Sequence, residues 1–342
     1  MSSSLVKAAA ASAAVLLTTT ACSAAGGTAA GDEGEQLSLV GFSVLEAANA
    51  PVFEEFAGTS EGEGVGFQTS YGASGDQSRA VEGGLDADVV HFSLEPDMQR
   101  LVDAGLVAED WKDNETKGIA TSSVVTFVVR EGNPEGIEGW EDLVKPGVEI
   151  ITPNPASSGS AKWNILGAWA HVAGAGGSDA EAEDFVTKFL ENTIALPSSG
   201  REATTAFSEG NGDVLISYEN EAILARQNGE AFDYVVPDDT LLIENPAAVT
   251  TDAPEAASAF LTFLTTPEAQ ADYALSGFRP VVDGVELPDV EGANDPSNPF
   301  PDPGTLYTID DDFGGWAEAN TKFFDEESGI IPRLQAETGT AE

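Results

Sequence analysis

The sequence predicts an α/β fold built on a largely parallel sheet, and three observations carry that prediction. β-Branched apolar runs alternate with helical stretches in the order βαβαβ over the first hundred or so residues, and the alternation resumes after Thr121. The chain is 342 residues long, which suits about two domains. A hydrophobic fraction of 42%, with 17 Phe and 5 Trp, is enough for a packed core and excludes disorder throughout.

In chain order, Met1 to Ala21 holds one charge, Lys7, and an Ala/Val/Leu run from Ala8 to Leu17. That run is too short to span a bilayer and fits a secretory signal peptide, assigned to residues 1–21. The sole cysteine, Cys22, follows directly, and Thr19-Thr20-Ala21-Cys22 resembles a bacterial lipoprotein cleavage box, which implies lipidation of Cys22. Residues 22–36 are rich in Ala, Gly, Ser, Asp and Glu without an apolar period, as a flexible tether would be.

The body then reads as strand Leu37–Ser43, helix Ala47–Ala57, strand Val65–Ser70, a polar helix after Ser74, strand Ala87–Phe92 and helix Pro96–Ala104. Val124–Arg130 (VVTFVVR) is a β-branched strand, Trp140–Val144 a short helix and Val148–Ile151 a strand. Helices Ser160–Val172 and Ala180–Asn192 follow, then strands near Ile194–Leu196 and Val214–Ser217. Helices return from Pro254 to Leu275, and Gly277–Pro303 is a loop rich in Pro, Gly and Asp.

The charge balance narrows the function. Fourteen Lys+Arg stand against 59 Asp+Glu, a formal −45, which repels nucleic acid. The acidic runs, Asp310-Asp311-Asp312 among them, read as solvated surface because they lack the alternating ligands and central glycine of a calcium loop. One Cys excludes a disulfide framework, and two His, His91 and His171, leave little for a metal site or a histidine relay. No cofactor or metal motif is present in the sequence. His91 reads as a core residue of its strand and His171 as the end of a helix.

Three turns between strand and helix are the candidates for chemistry. They are Ser70 to Ser78 (SYGASGDQS), where Ser74 and Gln77 have the spacing of a capping box, Thr152 to Asn164 (TPNPASSGSAKWN), and Ser198 to Thr204 (SSGREAT). Free N–H groups at a helix start, with the positive end of the helix dipole, bind anions without a formal cation. All three are expected at the carboxyl edge of a sheet, where α/β folds bind ligands.

The segments SYGASGDQSRAVEGGLDADVV, FVVREGNP, WEDLVKPGVEIITPNPASSGSAKWN, GDVLISYENEA and LYTIDDDFGGWAEA resemble, in order, the sulfate-binding proteins of bacterial ABC importers, from about Leu37 to about Phe324. The resemblance implies a two-lobed, type II periplasmic-binding-protein fold with the ligand in the inter-lobe cleft: lobe 1 from residues 37–120 plus 246–342, lobe 2 from 121–245. It implies sulfate held by neutral donors only, through the hydroxyls of Ser74 and Ser158 and the backbone N–H groups of Leu45, Ser74, Gly159, Ser160 and Gly200. Tyr218 stands where better-described members have Trp, and a phenol can still donate one hydrogen bond. Leu45 replaces an acidic residue and Gly200 an Ala, both harmless where only the N–H is used. Lys162 replaces an Arg and is assigned no contact. The resemblance further implies a monomer, delivery to a membrane permease, and a place on the outer face of the cell membrane through Cys22, or in the periplasm.

The alternatives are thiosulfate or another tetrahedral oxyanion as ligand, a secreted hydrolase, or an adhesion lipoprotein without a ligand. No enzyme is expected, because G-x-S-x-G, P-loop and HExxH patterns are missing and Gly72-Ala73-Ser74-Gly75 lacks the elbow's spacing. Asp213, Glu219 and Glu221 are the nearest thing to a catalytic carboxylate pair, but Glu219-Asn220-Glu221 opens a helix, where acidic residues suit the dipole.

Overall fold

A computed structural model describes residues 34–340. The signal peptide, Cys22 and most of the tether lie outside the described residues. Among the described residues, ten strands form one sheet: β1 (Gln36–Phe42), β2 (Gly66–Gly72), β3 (Val89–His91), β4 (Ile119–Arg130), β5 (Ile150–Ile151), β6 (Thr193–Ala195), β7 (Val214–Tyr218), β8 (Phe232–Val235), β9 (Asp239–Val249) and β10 (Thr305–Tyr307). The order is β2-β1-β3-β9-β4-β7-β5-β6, with β8 also on β4 and β10 also on β9.

The largely parallel sheet expected from the sequence is in fact mixed. β1 pairs in parallel with β2 and β3, and β5 with β6 and β7, so the two ends follow the parallel rule. The helices Leu45–Ala57 and Ser74–Glu82 make the crossovers at the first end, as parallel neighbours require. Between the ends, β4 and β9 run antiparallel to each other and to β7, β8 and β3. These two long strands change partners along their length. β4 pairs with β9 up to Val124 and with β7 from Val125 onward, while β9 pairs with β4 up to Pro246 and with β3 from Ala247 onward.

β4 is buried over all but its two end residues, which is why VVTFVVR reads as an unbroken apolar run. β9 (DTLLIENPAAV) has no such run, and its proline argues against a central strand. Pro246 escapes that rule because it sits at the partner switch, beside a register shift between Ile119 and Thr121, and there only its carbonyl is used, accepting the Phe92 N–H at 2.9 Å.

The capping box expected at Ser74 does not form. Ala73 is the N-cap with no side-chain bond, and Gln77 instead accepts the Ser70 hydroxyl at 3.2 Å. Asp310–Asp312 occupy the first turn of the helix Ile309–Phe313, where the Thr308 hydroxyl accepts the Asp311 N–H at 3.1 Å and Asp312 accepts the Thr308 N–H at 2.7 Å. That run is therefore a helix start whose negative charge suits the dipole.

Beyond residue 278 the chain packs against the second half of the sheet. Val290 and Ala293 join Ile223, Phe232 and Tyr234 in one apolar cluster, and Arg279 pairs with buried Glu219 through two nitrogens at 2.7 and 3.1 Å. The carboxyl-terminal helices lie on Gly159–Gly174 and Asp179–Glu191, with Phe323 edge-on to Trp169 at 4.8 Å and Arg333 bonded to Glu183 at 2.9 Å.

Candidate functional site

The carboxyl ends of β1, β2 and β3 meet the starts of the helices Gly159–Gly174 and Gly200–Ser208 around a small cavity of about 10 Å³. Its lining is Phe42, Ser43, Val44, Gly72, Ala73, Ser74, Ser93, Ser158, Gly159, Ser160 and Gly200, without one charged side chain. Five of the seven residues expected at the site are in that wall. Leu45 lies one residue behind Val44 with its side chain in the core, and opens the helix Leu45–Ala57. Tyr218 is fully buried behind the wall, its hydroxyl 2.6 Å from Ser93 Oγ.

The helix starts explain what the cavity offers. Leu45, Ser74, Gly159 and Gly200 are each the first residue of a helix and Ser160 the second, positions whose N–H groups have no acceptor inside the helix. Among the described residues, no other backbone or side-chain acceptor meets any of these five N–H groups. Ser158 is the N-cap of its helix yet makes no capping bond, so its hydroxyl is uncommitted as well. Ser199 does cap its helix, accepting the Glu202 N–H at 3.2 Å. A serine that forgoes a bond worth about 1 kcal/mol beside a polar cavity is available to a ligand.

Two glycines behave differently. A Cβ on Gly159 would meet Ser93 Oγ at 2.5 Å, Ser93 Cβ at 2.7 Å and Leu94 Cδ2 at 2.8 Å, so no other residue fits. A Cβ on Gly200 would stand 3.5 Å from Ser160 Oγ and Val44 Cγ2, which is ordinary contact.

The hydroxyl expected from Ser74 is not free. It donates to Asp97 Oδ2 at 2.6 Å and accepts the Ser93 N–H at 2.9 Å, which leaves only the Ser74 N–H facing the cavity. Burial pushes the Asp97 carboxyl above its ordinary value, against the opposing pull of the Ser74 hydroxyl and of Lys162, Arg100 and Arg79. Lys162 itself bonds Asn320 at 3.1 Å and takes no place in the wall.

Charged groups brace the turns from outside. Arg201, next to Gly200, lies 3.0 Å from buried Glu221, and Glu221 accepts the Thr204 hydroxyl at 3.0 Å. Asp213 accepts the Glu149 N–H at 2.9 Å, so Asp213, Glu219 and Glu221 are three separate structural carboxylates. His91 is buried in β3, and His171 bonds Asp239 at 2.8 Å near the end of its helix. Among the described residues, no group of three or more His, Cys, Asp or Glu could hold a metal, and no helix is long and apolar enough to cross a membrane.

Ser43, Val44 and Ser93 were not singled out from the sequence. Ser93 had a readable signal, since it follows β3 and precedes the helix Glu95–Asp103 at the same sheet edge as the other turns. It lacks a neighbouring glycine, and Leu94 stands at the N-cap, so nothing marks that turn as open.

Residues 41–279 match the family described as bacterial extracellular solute-binding protein. The chain is 42% identical to a sulfate-binding protein of Synechococcus elongatus, over 90% of this chain and 89% of that one. It is 35% identical to a thiosulfate-binding protein of Escherichia coli, over 86% and 88% respectively. Among solved structures, the sulfate-binding protein SubI from Mycobacterium tuberculosis superposes with a TM-score of 0.79 at 47% identity, covering 85% of this chain and all of that one. The fold is that of the type II periplasmic binding proteins. The chain belongs to the bacterial extracellular solute-binding proteins.

Proposed function

We propose that this solute-binding protein captures sulfate in the cavity above and delivers it to the permease of an ABC importer. The observation that carries the reading is a small cavity lined by Ser74, Gly159, Ser160 and Gly200, whose N–H groups have no acceptors, and by the free Ser158 hydroxyl, with no charged side chain in its wall. Sulfate is fully ionised near neutral pH and only accepts hydrogen bonds. Neutral dipoles fixed by the fold can disperse its two charges, and excluding water strengthens each of them. A protonated phosphate must place an O–H against a donor, and a misdirected polar partner in a buried site discriminates by about 10⁴ to 10⁵.

Leu45, Ser74, Gly159, Ser160 and Gly200 are proposed as backbone donors and Ser158 as a hydroxyl donor, with Tyr218 acting from behind the wall. Thiosulfate is the second reading, favoured by the relative that carries that name. Binding without turnover fits a wall that holds no titratable side chain. The lobes are proposed as 37–120 with 246–278 and 121–245 with the remainder, because the chain after residue 278 packs on the second half. This moves 279–342 away from the lobe expected for it. We place the protein outside the cytoplasm as a monomer, held at the membrane through lipidated Cys22. Fractionation of Cys22→Ser against wild type tests the anchor, and equal membrane association would remove it.

A thermal-shift panel of sulfate, thiosulfate and phosphate tests the function, because a ligand of the folded state alone raises stability by RT ln(1 + [L]/Kd). Stabilisation by sulfate is expected. No shift with any oxyanion would leave the cavity without this role.

A further inference from the structure

Ser93 is held on all sides. Its N–H donates to Ser74 Oγ at 2.9 Å, and its carbonyl accepts Trp163 Nε1 at 2.9 Å and Asn245 Nδ2 at 2.8 Å. Its Oγ faces the cavity beside Gly159, close enough that a Cβ there would touch it, and lies 2.6 Å from the Tyr218 hydroxyl. Two hydroxyls in contact can share their protons in either sense, so the polarity of this pair decides whether the cavity meets a donor or an acceptor.

The surrounding bonds set that polarity. Asn245 points its NH₂ at the Ser93 carbonyl, so its oxygen is the group that accepts the Thr121 hydroxyl at 3.2 Å. With the one Thr121 proton committed, Thr121 Oγ1 can only accept from His91 Nε2, 3.2 Å away. His91 is therefore the Nε2–H tautomer, which leaves its buried Nδ1 as a bare acceptor without a partner. Burial holds His91 neutral, with a pKa lowered to about 3. At the other end, the fully buried Tyr218 hydroxyl has Ser93 Oγ as its one hydrogen-bond partner among the described residues. A buried phenol proton left without an acceptor is costly, whereas the Ser93 hydroxyl lines the cavity, so the phenol's proton goes to Ser93 Oγ. The Ser93 proton then has no acceptor but a group in the cavity.

We propose that Ser93 is a further ligand-binding residue, a hydroxyl donor to the anion, and that Tyr218 is a positioning residue that keeps this hydroxyl in its donating sense. The inference rests on the proposed function and sharpens it, because it moves the aromatic residue's role from direct contact to control of a neighbour. It also accounts for the burial of Tyr218 behind the wall.

Calorimetric titration of the purified protein with sulfate and with inorganic phosphate tests it. Ser93→Ala is expected to weaken sulfate binding by roughly ten- to a hundredfold, the loss of one hydrogen bond to a charged group. Should Ser93→Ala not fold, Ser93→Cys keeps a γ atom with only a weak donor and is expected to lose affinity in the same sense. Tyr218→Phe frees the Ser93 hydroxyl to turn and accept, so the preference for sulfate over phosphate should narrow, a change that loosened packing would not produce. Sulfate affinity of the Ser93 variant within about twofold of wild type, or a Tyr218→Phe loss equal for both anions, overturns the inference alone. A wild-type protein that binds no tetrahedral oxyanion overturns the function and the inference together.

Discussion

The cavity and the scaffold just outside it use opposite electrostatics. The cavity wall holds only serine, glycine, alanine, valine and phenylalanine. The layer behind it carries Glu219 bonded to Arg279, Glu221 beside Arg201, and Asp97 under Ser74. Formal charge is thus used to hold turns and helices in place, while the ligand is offered dipoles. A fixed cation in the wall would attract phosphate as readily as sulfate, whereas oriented N–H groups discriminate by proton content. The difference predicts that the charged layer governs stability and the neutral layer governs affinity.

The largest effect should come from the charged layer. Arg279→Met leaves Glu219 buried without its partner, and the fold is expected to lose about 3 to 5 kcal/mol in denaturant melts. A loss below about 1 kcal/mol would mean that this pair is not a brace.

Next is the neutral wall. Gly159→Ala forces a methyl group against Ser93 and Leu94, an overpacking cost of about 1 to 3 kcal/mol that should appear mainly as lost sulfate affinity. Gly200→Ala puts the same methyl in open contact and should leave affinity within about twofold. Equal effects at the two glycines would show that the helix starts are not distinguished as described.

The smallest effect is a pH dependence. Burial alone would lower the His171 pKa, but its bonds to Asp239 and Glu141 outweigh burial and hold it raised in the folded protein. The stabilisation it supplies is full below the unfolded value of about 6.5 and fades as pH rises through the folded value. His171→Gln should therefore cost more stability at about pH 5.5 than at about pH 8.5, measured by chemical denaturation. The reverse order would mean that the histidine is neutral in the fold.

The legible parts of the molecule were those where one local rule suffices. β4 is apolar because both its faces are covered, and the turns at Ser158 and Gly200 show the small residues that a ligand-facing helix start needs. β9 was hidden because its proline obeys a constraint set by two other strands, a partner switch that only the assembled sheet contains. Ser74 looked like a cap and a hydroxyl donor, yet Asp97, 23 residues away, claims its proton. Ser93 went unmarked because its role depends on bonds from Trp163, Tyr218 and Asn245, all remote in sequence. Short-range chemistry shows in the sequence, and commitments made by distant partners do not.

One titration bears on the central claim most directly: sulfate and phosphate binding to the purified protein, by calorimetry, at about pH 6 and about pH 8. No titratable side chain lines the cavity and sulfate stays a dianion throughout, so its affinity should agree within about twofold at the two pH values, with phosphate far weaker at both. Phosphate bound as tightly as sulfate, or a sulfate affinity that follows pH, would contradict a cavity of neutral, one-way donors.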